Sequence, residues 1–250
     1  MDILTLNKVS LIYHSPKNET LALKEINLNV KKSEFISIVG PSGCGKTTIL
    51  SLISGLLTAS SGEVKINSDN EFACGYMFQK DHLFPWRTIL KNICLGLEVQ
   101  KKVTDENIAY IKNLAEKYGI YDFLDRYPSE LSGGMRQRVS LIRTLALKPD
   151  ILLLDEPFSA LDFQTRLNVC DDVASIIKNE VKTAILVTHD IQEAISMSDR
   201  IIILSSRPAV VKRIVELDFD KNLTPFQRRE EPTFSKYFDI IWKELTEDEK

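Results

Sequence analysis

Apolar and polar positions alternate along the first third of the chain in the way that β-strands require. Residues 3–13 alternate loosely, residues 25–30 alternate strictly, and residues 35–39 form an apolar run. Residues 62–66 and 73–78 carry the same kind of signal, and the first of these is typical of a hairpin strand. Alternation with a period of two places one face of a strand in the core. The pattern therefore predicts five strands before residue 80.

Helical spacing follows and then alternates with further strands. The predicted helices cover residues 88–97, 105–118, 132–147, 163–180 and 191–197, after a first helix that begins near Lys46 and carries apolar residues through Leu57. Thr104 is a predicted N-cap, with Asp105 and Glu106 in the first turn that follows it. Lys148-Pro149 ends the third of the five helices, because the residue before a proline disfavours helical angles.

The later strands have apolar centres. Residues 151–154 are a wholly apolar run, and residues 183–188 and 200–204 are further predicted strands, with helices between the three. Such runs are typical of a parallel sheet that helices cover on both faces. The sequence therefore predicts the α/β class, with an inserted helical segment and a short C-terminal tail.

Composition narrows the function classes. The chain has 250 residues, 44% of them hydrophobic, and a formal net charge of −3. This balance predicts no nucleic-acid partner, since such proteins carry a basic patch. No apolar run reaches the roughly 18 residues of a membrane span, and the first ten residues lack the apolar region of a signal peptide. Cys44, Cys74, Cys94 and Cys170 form no metal-binding spacing, so we expect reduced thiols.

The segment between the third strand and the first helix carries the clearest chemistry. Gly40-x-x-x-x-Gly45-Lys46-Thr47 matches the nucleotide-binding loop pattern. Glycines let backbone N–H groups converge on phosphates, and the helix N-terminus adds its positive dipole. We expect Lys46 to reach the β- and γ-phosphates and the Thr47 hydroxyl to ligate Mg²⁺. The candidate phosphate-binding residues are Gly40, Pro41, Ser42, Gly43, Cys44, Gly45, Lys46, Thr47 and Thr48. The motif alone leaves kinases, GTPases and ATPases open.

Two carboxylates follow a later apolar strand. Asp155 and Glu156 come directly after residues 151–154, at the carboxyl end of a predicted parallel strand, where ligands bind in such sheets. We expect Asp155 to hold Mg²⁺ through water and Glu156 to orient the attacking water as a base. An ordinary boundary between strand and loop can carry the same residues. The functional interpretation of this pair therefore depends on the phosphate loop found earlier in the sequence.

Residues 131–138, Leu-Ser-Gly-Gly-Met-Arg-Gln-Arg, resemble the signature of the ABC transporter ATPases. The order of motifs also matches that family: phosphate loop, Gln79, signature, residues 151–157, residues 159–162 and His189. The resemblance covers about residues 4–217. It implies an ABC cassette, in which a P-loop ATPase core with a parallel sheet carries an N-terminal antiparallel β subdomain and a helical insert. Residues 1–80 and 145–217 would form the core, residues 81–144 the insert with the signature, and residues 218–250 a helical tail.

The resemblance also implies roles for single residues. Tyr13 would stack on adenine, Gln79 would ligate Mg²⁺ and sense the γ-phosphate, and His189 would contact the γ-phosphate. The serine and glycines of the signature would bind ATP held by a second subunit in a head-to-tail homodimer, and Asp162 would cross that interface. The residues concerned in the signature are Ser132, Gly133 and Gly134. Cys44 lies beside a helix N-terminus, which lowers a thiol pKa, but we interpret it as a small filler. Ser33 replaces a glycine usual in the family.

The branch within the family is suggested by residues 83–88, Leu-Phe-Pro-Trp-Arg-Thr, which resemble a stretch of the nitrate, sulfonate and taurine importer ATPases. Residues 135–138, 158–166, 206–209 and 237–245 are similar to the same branch. The resemblance implies separate integral-membrane permease subunits, an extracytoplasmic solute-binding protein and a peripheral position on the cytoplasmic face of the membrane. ATP and Mg²⁺ are the implied cofactors.

Alternatives stay open at this point. An importer for another solute, such as a thiamine-precursor pyrimidine, belongs to the same branch. A soluble ABC ATPase of DNA repair, translation or iron–sulfur assembly is a second class, although the coiled coils, duplicated cassettes and basic surfaces usual there are not visible. A GTPase would need an Asn-Lys-x-Asp base reader, and the sequence contains none.

Overall fold

The computed structural model describes residues 1–15 and 18–246. An antiparallel sheet of three strands opens the fold. Its strands are β1 (Asp2–His14), β2 (Glu19–Lys31) and β4 (Ser61–Ile66), in the order β2-β1-β4. Burial alternates strictly over residues 25–31 of β2, as the pattern predicts, and is interrupted in β1, where the register shifts. The antiparallel subdomain expected from the family resemblance is therefore confirmed.

A second sheet has six strands and forms the centre of the molecule. Its strands are β3 (Phe35–Val39), β5 (Cys74–Met77), β6 (Ile151–Asp155), β7 (Thr183–Val187), β8 (Arg200–Leu204) and β9 (Val211–Glu216), in the order β5-β6-β7-β3-β8-β9. The first five run parallel, and β9 pairs antiparallel with β8 at the edge. Every residue of β3, β6 and β7 is buried. The predicted α/β class is confirmed, and β9 is an addition to the prediction.

The helices cover both faces of this sheet. They are α1 (Lys46–Ile53), α2 (Ile89–Ile93), α3 (Leu95–Val99), α4 (Asp105–Lys117), α5 (Gly133–Leu145), α6 (Phe163–Asn179), α7 (Ile191–Met197), α8 (Pro225–Glu230) and α9 (Pro232–Thr246). Two 3₁₀ turns, Tyr121–Phe123 and Pro128–Glu130, precede α5. The core of α2 to α6 packs on one face of the sheet, whereas α1 and the antiparallel sheet pack on the other. Helices α7 and α9 and strand β8 form a third cluster around Ile195 and Ile241.

Two helices differ from the prediction. Helix α1 ends at Ile53 because Gly55, with φ of 75°, turns the chain, and Leu56 is consequently 64% exposed. The helix predicted over 88–97 is divided into α2 and α3 at Cys94. Hydrogen bonds of helical spacing continue through that residue, since its N–H donates to the Leu90 carbonyl at 2.9 Å and its carbonyl accepts from the Glu98 N–H.

Smaller predictions about turns hold. The Thr104 hydroxyl accepts a hydrogen bond from the Asn107 N–H and caps α4, as predicted. Ser33 has a φ of 61°, the left-handed region that favours glycine, which explains why a glycine suits this position. Within residues 1–15 and 18–246, no helix has both the length and the apolar character needed to cross a bilayer.

Candidate nucleotide site

The phosphate loop lies where the sequence places it, between buried strand β3 and helix α1. Gly43 and Gly45 have φ values of 70° and 122°, and both values disfavour residues with a side chain. A Cβ atom on Gly45 would also stand 2.8 Å from Leu23 Cδ2 of strand β2. The conformation of the loop therefore depends on glycine for both backbone freedom and space.

Lys46 begins α1 and is buried. Its ammonium folds back over the loop and donates hydrogen bonds to the Gly40 carbonyl at 2.9 Å and to the Pro41 carbonyl at 3.0 Å. The cation and the N-terminal end of α1 thus concentrate positive charge at one side of the loop, which suits an anionic ligand.

Asp155 lies at the end of β6 and joins the phosphate loop to the sheet. The Thr47 hydroxyl donates to its Oδ1 at 3.0 Å, and the Tyr76 hydroxyl donates to its Oδ2 at 3.0 Å. Burial raises the pKa of the Asp155 carboxyl, and the two hydroxyl donors act in the opposite direction. A buried carboxylate beside a threonine hydroxyl is the kind of oxygen set that Mg²⁺ takes together with phosphates and waters.

Glu156 stands at the centre of a second polar cluster. Its Oε2 lies 3.1 Å from His189 Nδ1 and accepts from Gln79 Nε2 at 3.4 Å. Gln79 Nε2 also donates to Ser159 Oγ at 3.3 Å, so its present contacts are with this cluster and not with the pair Thr47–Asp155. A carboxylate flanked by an imidazole and an amide is a suitable arrangement for placing and deprotonating water.

The backbone of Glu156 is unusual. Its φ is 46°, a region that few residues with a side chain adopt, and its N–H donates to the Val187 carbonyl of β7 at 2.8 Å. Such conformations cost about 1–3 kcal/mol and are concentrated at functional sites. The His189 side chain is 63% exposed and that of Glu156 24%, so the cluster is open to ligand and solvent.

Tyr13 lies beside the outer end of the phosphate loop. Its hydroxyl is 3.1 Å from Thr48 Oγ1 of α1, and the residue is 42% exposed. The stacking of Tyr13 on adenine stays a prediction.

The expected lowering of the Cys44 pKa is wrong. Burial raises the pKa of this thiol and outweighs the opposing effect of Lys46. Cys44 is buried, and a Cβ atom on Gly40 would stand 2.9 Å from its Sγ. This packing fits the interpretation of Cys44 as a small filler.

The signature residues lie at the start of α5, beside the start of α6. The Ser132 hydroxyl accepts from the Met135 N–H at 3.3 Å and caps α5, while the Asp162 carboxylate accepts from the Thr165 N–H at 3.0 Å and caps α6. A Cβ atom added to Gly133 would contact Leu161, the residue before the α6 cap. A Cβ atom added to Gly134 would contact Val169 and Thr165 of α6. Hydrogen bonds from its helix N-terminus lower the pKa of Asp162. The start of α5 therefore packs closely against the start of α6.

Sequence reasoning missed two residues of the site. Tyr76 holds Asp155 from strand β5, and its only signal is its position three residues before Gln79. Arg207, in the loop between β8 and β9, donates to the Gly43 carbonyl at 2.5 Å. It belongs to residues 206–209, which the sequence analysis used only to identify the branch.

The strand β3, the glycine loop and the helix α1 face a carboxylate at the end of β6, a parallel strand separated from β3 by β7 alone. This arrangement defines a P-loop nucleoside triphosphatase. Within the described residues, no group of three His, Cys, Asp or Glu side chains forms a metal site of its own.

Comparisons with known proteins identify the family. Residues 23–159 match the family model described as ABC transporter. An ABC transporter ATP-binding protein of Bacillus subtilis (strain 168), YtlC, is 47% identical to this chain, and the alignment covers 100% of this chain and 98% of YtlC. The chain belongs to the ABC transporter family and is one of its ATP-binding, ATP-hydrolysing subunits.

Other similar proteins have more specific names. The nitrate import ATP-binding protein NrtD of Synechocystis sp. is 36% identical over 96% of this chain and 93% of its own. The aliphatic sulfonates import ATP-binding protein SsuB of Bacillus thuringiensis subsp. konkukian is 37% identical over 88% and 89%. A dimeric, post-hydrolysis structure of the ATP-binding cassette MJ0796 bound to ADP and Pi superimposes with a TM-score of 0.70, at 33% identity over 87% of this chain and 100% of that chain.

Proposed function

We propose that this chain binds MgATP and hydrolyses it to power the import of a small solute through separate permease subunits. The observation that carries the proposal is the position of Glu156, whose carboxylate lies within hydrogen-bonding distance of both His189 and Gln79. That carboxylate is suited to take a proton from the water that attacks the γ-phosphate. Gln79 and His189 would orient this water and the phosphate.

The phosphate loop supplies the charge for this reaction. Lys46 would leave the carbonyls of its own loop to contact the β- and γ-phosphates, since an anion is a stronger acceptor than a neutral carbonyl. Thr47 and Asp155 would hold Mg²⁺, and Gln79 would join them by leaving Ser159. When bound, Mg²⁺ neutralises the charge that develops on the phosphate oxygens. Tyr13 would stack on the adenine.

Two copies of the chain would form the working unit. Ser132, Gly133 and Gly134 present a helix N-terminus that can bind the γ-phosphate of ATP held by the partner subunit. Asp162 caps α6 beside them and would lie at the same interface. The likeness to a dimeric cassette that carries ADP and Pi supports a dimer as the working unit.

The permease would dock on the helical segment 81–144. Trp86 is 72% exposed there and stacks on Phe84, with ring centroids 5.1 Å apart. The proposed division is a core of residues 1–80 and 145–217, the insert 81–144 and a tail 218–250, whose last four positions lie outside the described residues. The subunit would act at the cytoplasmic face of the membrane through this contact.

The solute we propose is a small anion of the nitrate or sulfonate kind, delivered by an extracytoplasmic binding protein. Relatives that are named for nitrate and aliphatic sulfonate import support this class. Thermal-shift screening of the cognate binding protein against nitrate, alkanesulfonates and pyrimidines tests it. Stabilisation by a pyrimidine alone would assign the other solute.

The test of the reaction is Glu156→Gln. We expect ATP binding to persist and turnover to fall by about 10²–10⁴-fold, the usual contribution of a positioned base. Exclusion chromatography with ATP should then show a stable dimer of this variant. Near-normal hydrolysis by Glu156→Gln would contradict the assigned role, and recovery of only soluble partners from detergent extracts would favour a soluble ABC ATPase.

A further inference from the structure

Arg166 contacts two segments that carry proposed site residues. It lies in the first turns of α6. Its Nη2 donates to the Leu161 carbonyl at 2.9 Å, and its Nη1 donates to Asp190 Oδ2 at 3.3 Å. Its Nε is 3.7 Å from Glu193 Oε1. The guanidinium therefore joins the residue before Asp162 to the residue after His189.

The segment around His189 is held by side chains on both sides of the imidazole. The Asp190 N–H donates to Thr188 Oγ1 at 3.0 Å, and this hydroxyl donates to Glu193 Oε2 at 2.7 Å. Asp190 Oδ1 accepts from the N–H groups of Gln192 and Glu193, which caps α7. These hydrogen bonds among Thr188, Asp190 and Glu193 form a network that fixes both neighbours of His189. The network therefore also sets the position of the exposed imidazole.

Arg166 closes this network. Glu193 is buried, and its carboxyl faces Thr188 and the guanidinium. Burial raises the pKa of Glu193, and Arg166 opposes that effect together with the Thr188 hydroxyl. Without the cation, two neighbouring acidic side chains would lose their shared positive partner and the cap of α7 would shift. A planar fork can hold a carbonyl and a carboxylate at the same time, which a lysine ammonium does poorly.

We propose that Arg166 is a positioning residue that fixes His189 relative to the Leu161–Asp162 segment, so that the γ-phosphate contact and the proposed dimer contact are set together. This inference rests on the proposed function, because it assigns Arg166 an effect on hydrolysis through His189. It predicts a loss in turnover and not in ATP affinity, since Arg166 has no contact with the phosphate loop among the contacts described above.

The test compares Arg166→Gln with Arg229→Gln in the full-length chain. Arg229 also contacts α7, through Gln192 Oε1 at 3.1 Å, and is a matched control for the loss of an arginine there. We expect Arg166→Gln to lower kcat by about 10–100-fold, as a misplaced catalytic group does, with KM for ATP changed less than about threefold. Arg229→Gln should keep kcat. Equal kcat values for the two variants overturn the inference.

A double-mutant cycle with His189→Ala separates positioning from general damage to the fold. If Arg166 acts through His189, Arg166→Gln should lower kcat little further in the His189→Ala background. An equal fold-loss in both backgrounds overturns the inference. Arg166→Lys keeps a cation beside Asp190 and Glu193. This variant should have the melting temperature of the wild type but show most of the loss in kcat that is expected for Arg166→Gln. A wild-type chain without MgATP turnover would overturn the proposed function itself, which is a distinguishable result.

Discussion

Removal of one hydroxyl group, in Tyr76→Phe, tests the description of Asp155. In the wild type this carboxylate accepts two hydrogen bonds, from Thr47 and Tyr76, which partly offset the cost of its burial. A hydrogen bond to a charged group contributes roughly 1.5–3 kcal/mol. For a chain of this size each kcal/mol shifts Tm by about 2–4 °C, so we expect Tyr76→Phe to melt about 3–12 °C below the wild type at pH 8.

The difference should depend on pH in a defined direction. The Asp155 pKa is raised, so the folded protein holds this proton more tightly than the unfolded chain, and Asp155 costs stability as pH rises through its raised pKa. Loss of the Tyr76 donor raises that pKa further and increases the cost of the ionised form only. The gap in Tm between wild type and Tyr76→Phe should therefore be smaller at pH 5 than at pH 8.

Thermal unfolding followed by circular dichroism at the two pH values measures this gap. Tyr121→Phe, at an exposed tyrosine of a 3₁₀ turn, is the control for loss of a hydroxyl group. A gap that is equal at pH 5 and pH 8 would refute the reasoning, because it would show that Tyr76 stabilises through packing and not through the Asp155 charge.

Three further predictions concern the backbone and the thiol. Ser33→Gly removes a side chain from a left-handed position at φ of 61° and should raise the free energy of unfolding by up to about 1 kcal/mol, measured by urea denaturation. A lower free energy of unfolding in this variant would show that the Ser33 backbone is not strained. Gly45→Ala should weaken ATP binding about 10–100-fold in a binding titration, because the strained φ costs roughly 1–3 kcal/mol and the new methyl group meets Leu23. The control Gly55→Ala also has positive φ but open space around it, and it should bind ATP normally in the same titration. Cys44 should react with iodoacetamide at pH 8 much more slowly than free cysteine, followed by mass spectrometry, and rapid labelling would show that burial does not control this thiol.

The sequence was sufficient to predict the elements whose bounds are set by residues close to them in the chain. Strands β3 and β8 and helix α7 have the predicted bounds, because buried apolar runs end at residues that cannot continue them. The positions of the glycine loop and the two carboxylates also follow from the order of elements, since the carboxyl ends of parallel strands meet at one edge. These features needed no knowledge of distant contacts.

Other features depend on partners far along the chain. Half of the residues of β9 are exposed at the sheet edge and only Val215 is buried, so its burial pattern is weak. The turn at Gly55, just after α1 ends, leaves Leu56 in solvent, against the apolar periodicity that extended the predicted helix. Tyr76 and Arg166 contact residues that lie 79 and 24 positions further along the chain, and a single sequence does not give the register that brings them together.

Leu23 has a consequence for how natural variants of this chain should be interpreted. It lies in the antiparallel sheet, pairs with Ala209 in an isolated bridge, and its Cδ2 occupies the space where a side chain on Gly45 would begin. A larger residue at position 23 would press on the phosphate loop from behind, although no motif includes that position. Variant surveys that score position 23 as ordinary hydrophobic filling would assign such a change to lost stability alone and overlook its effect on nucleotide affinity.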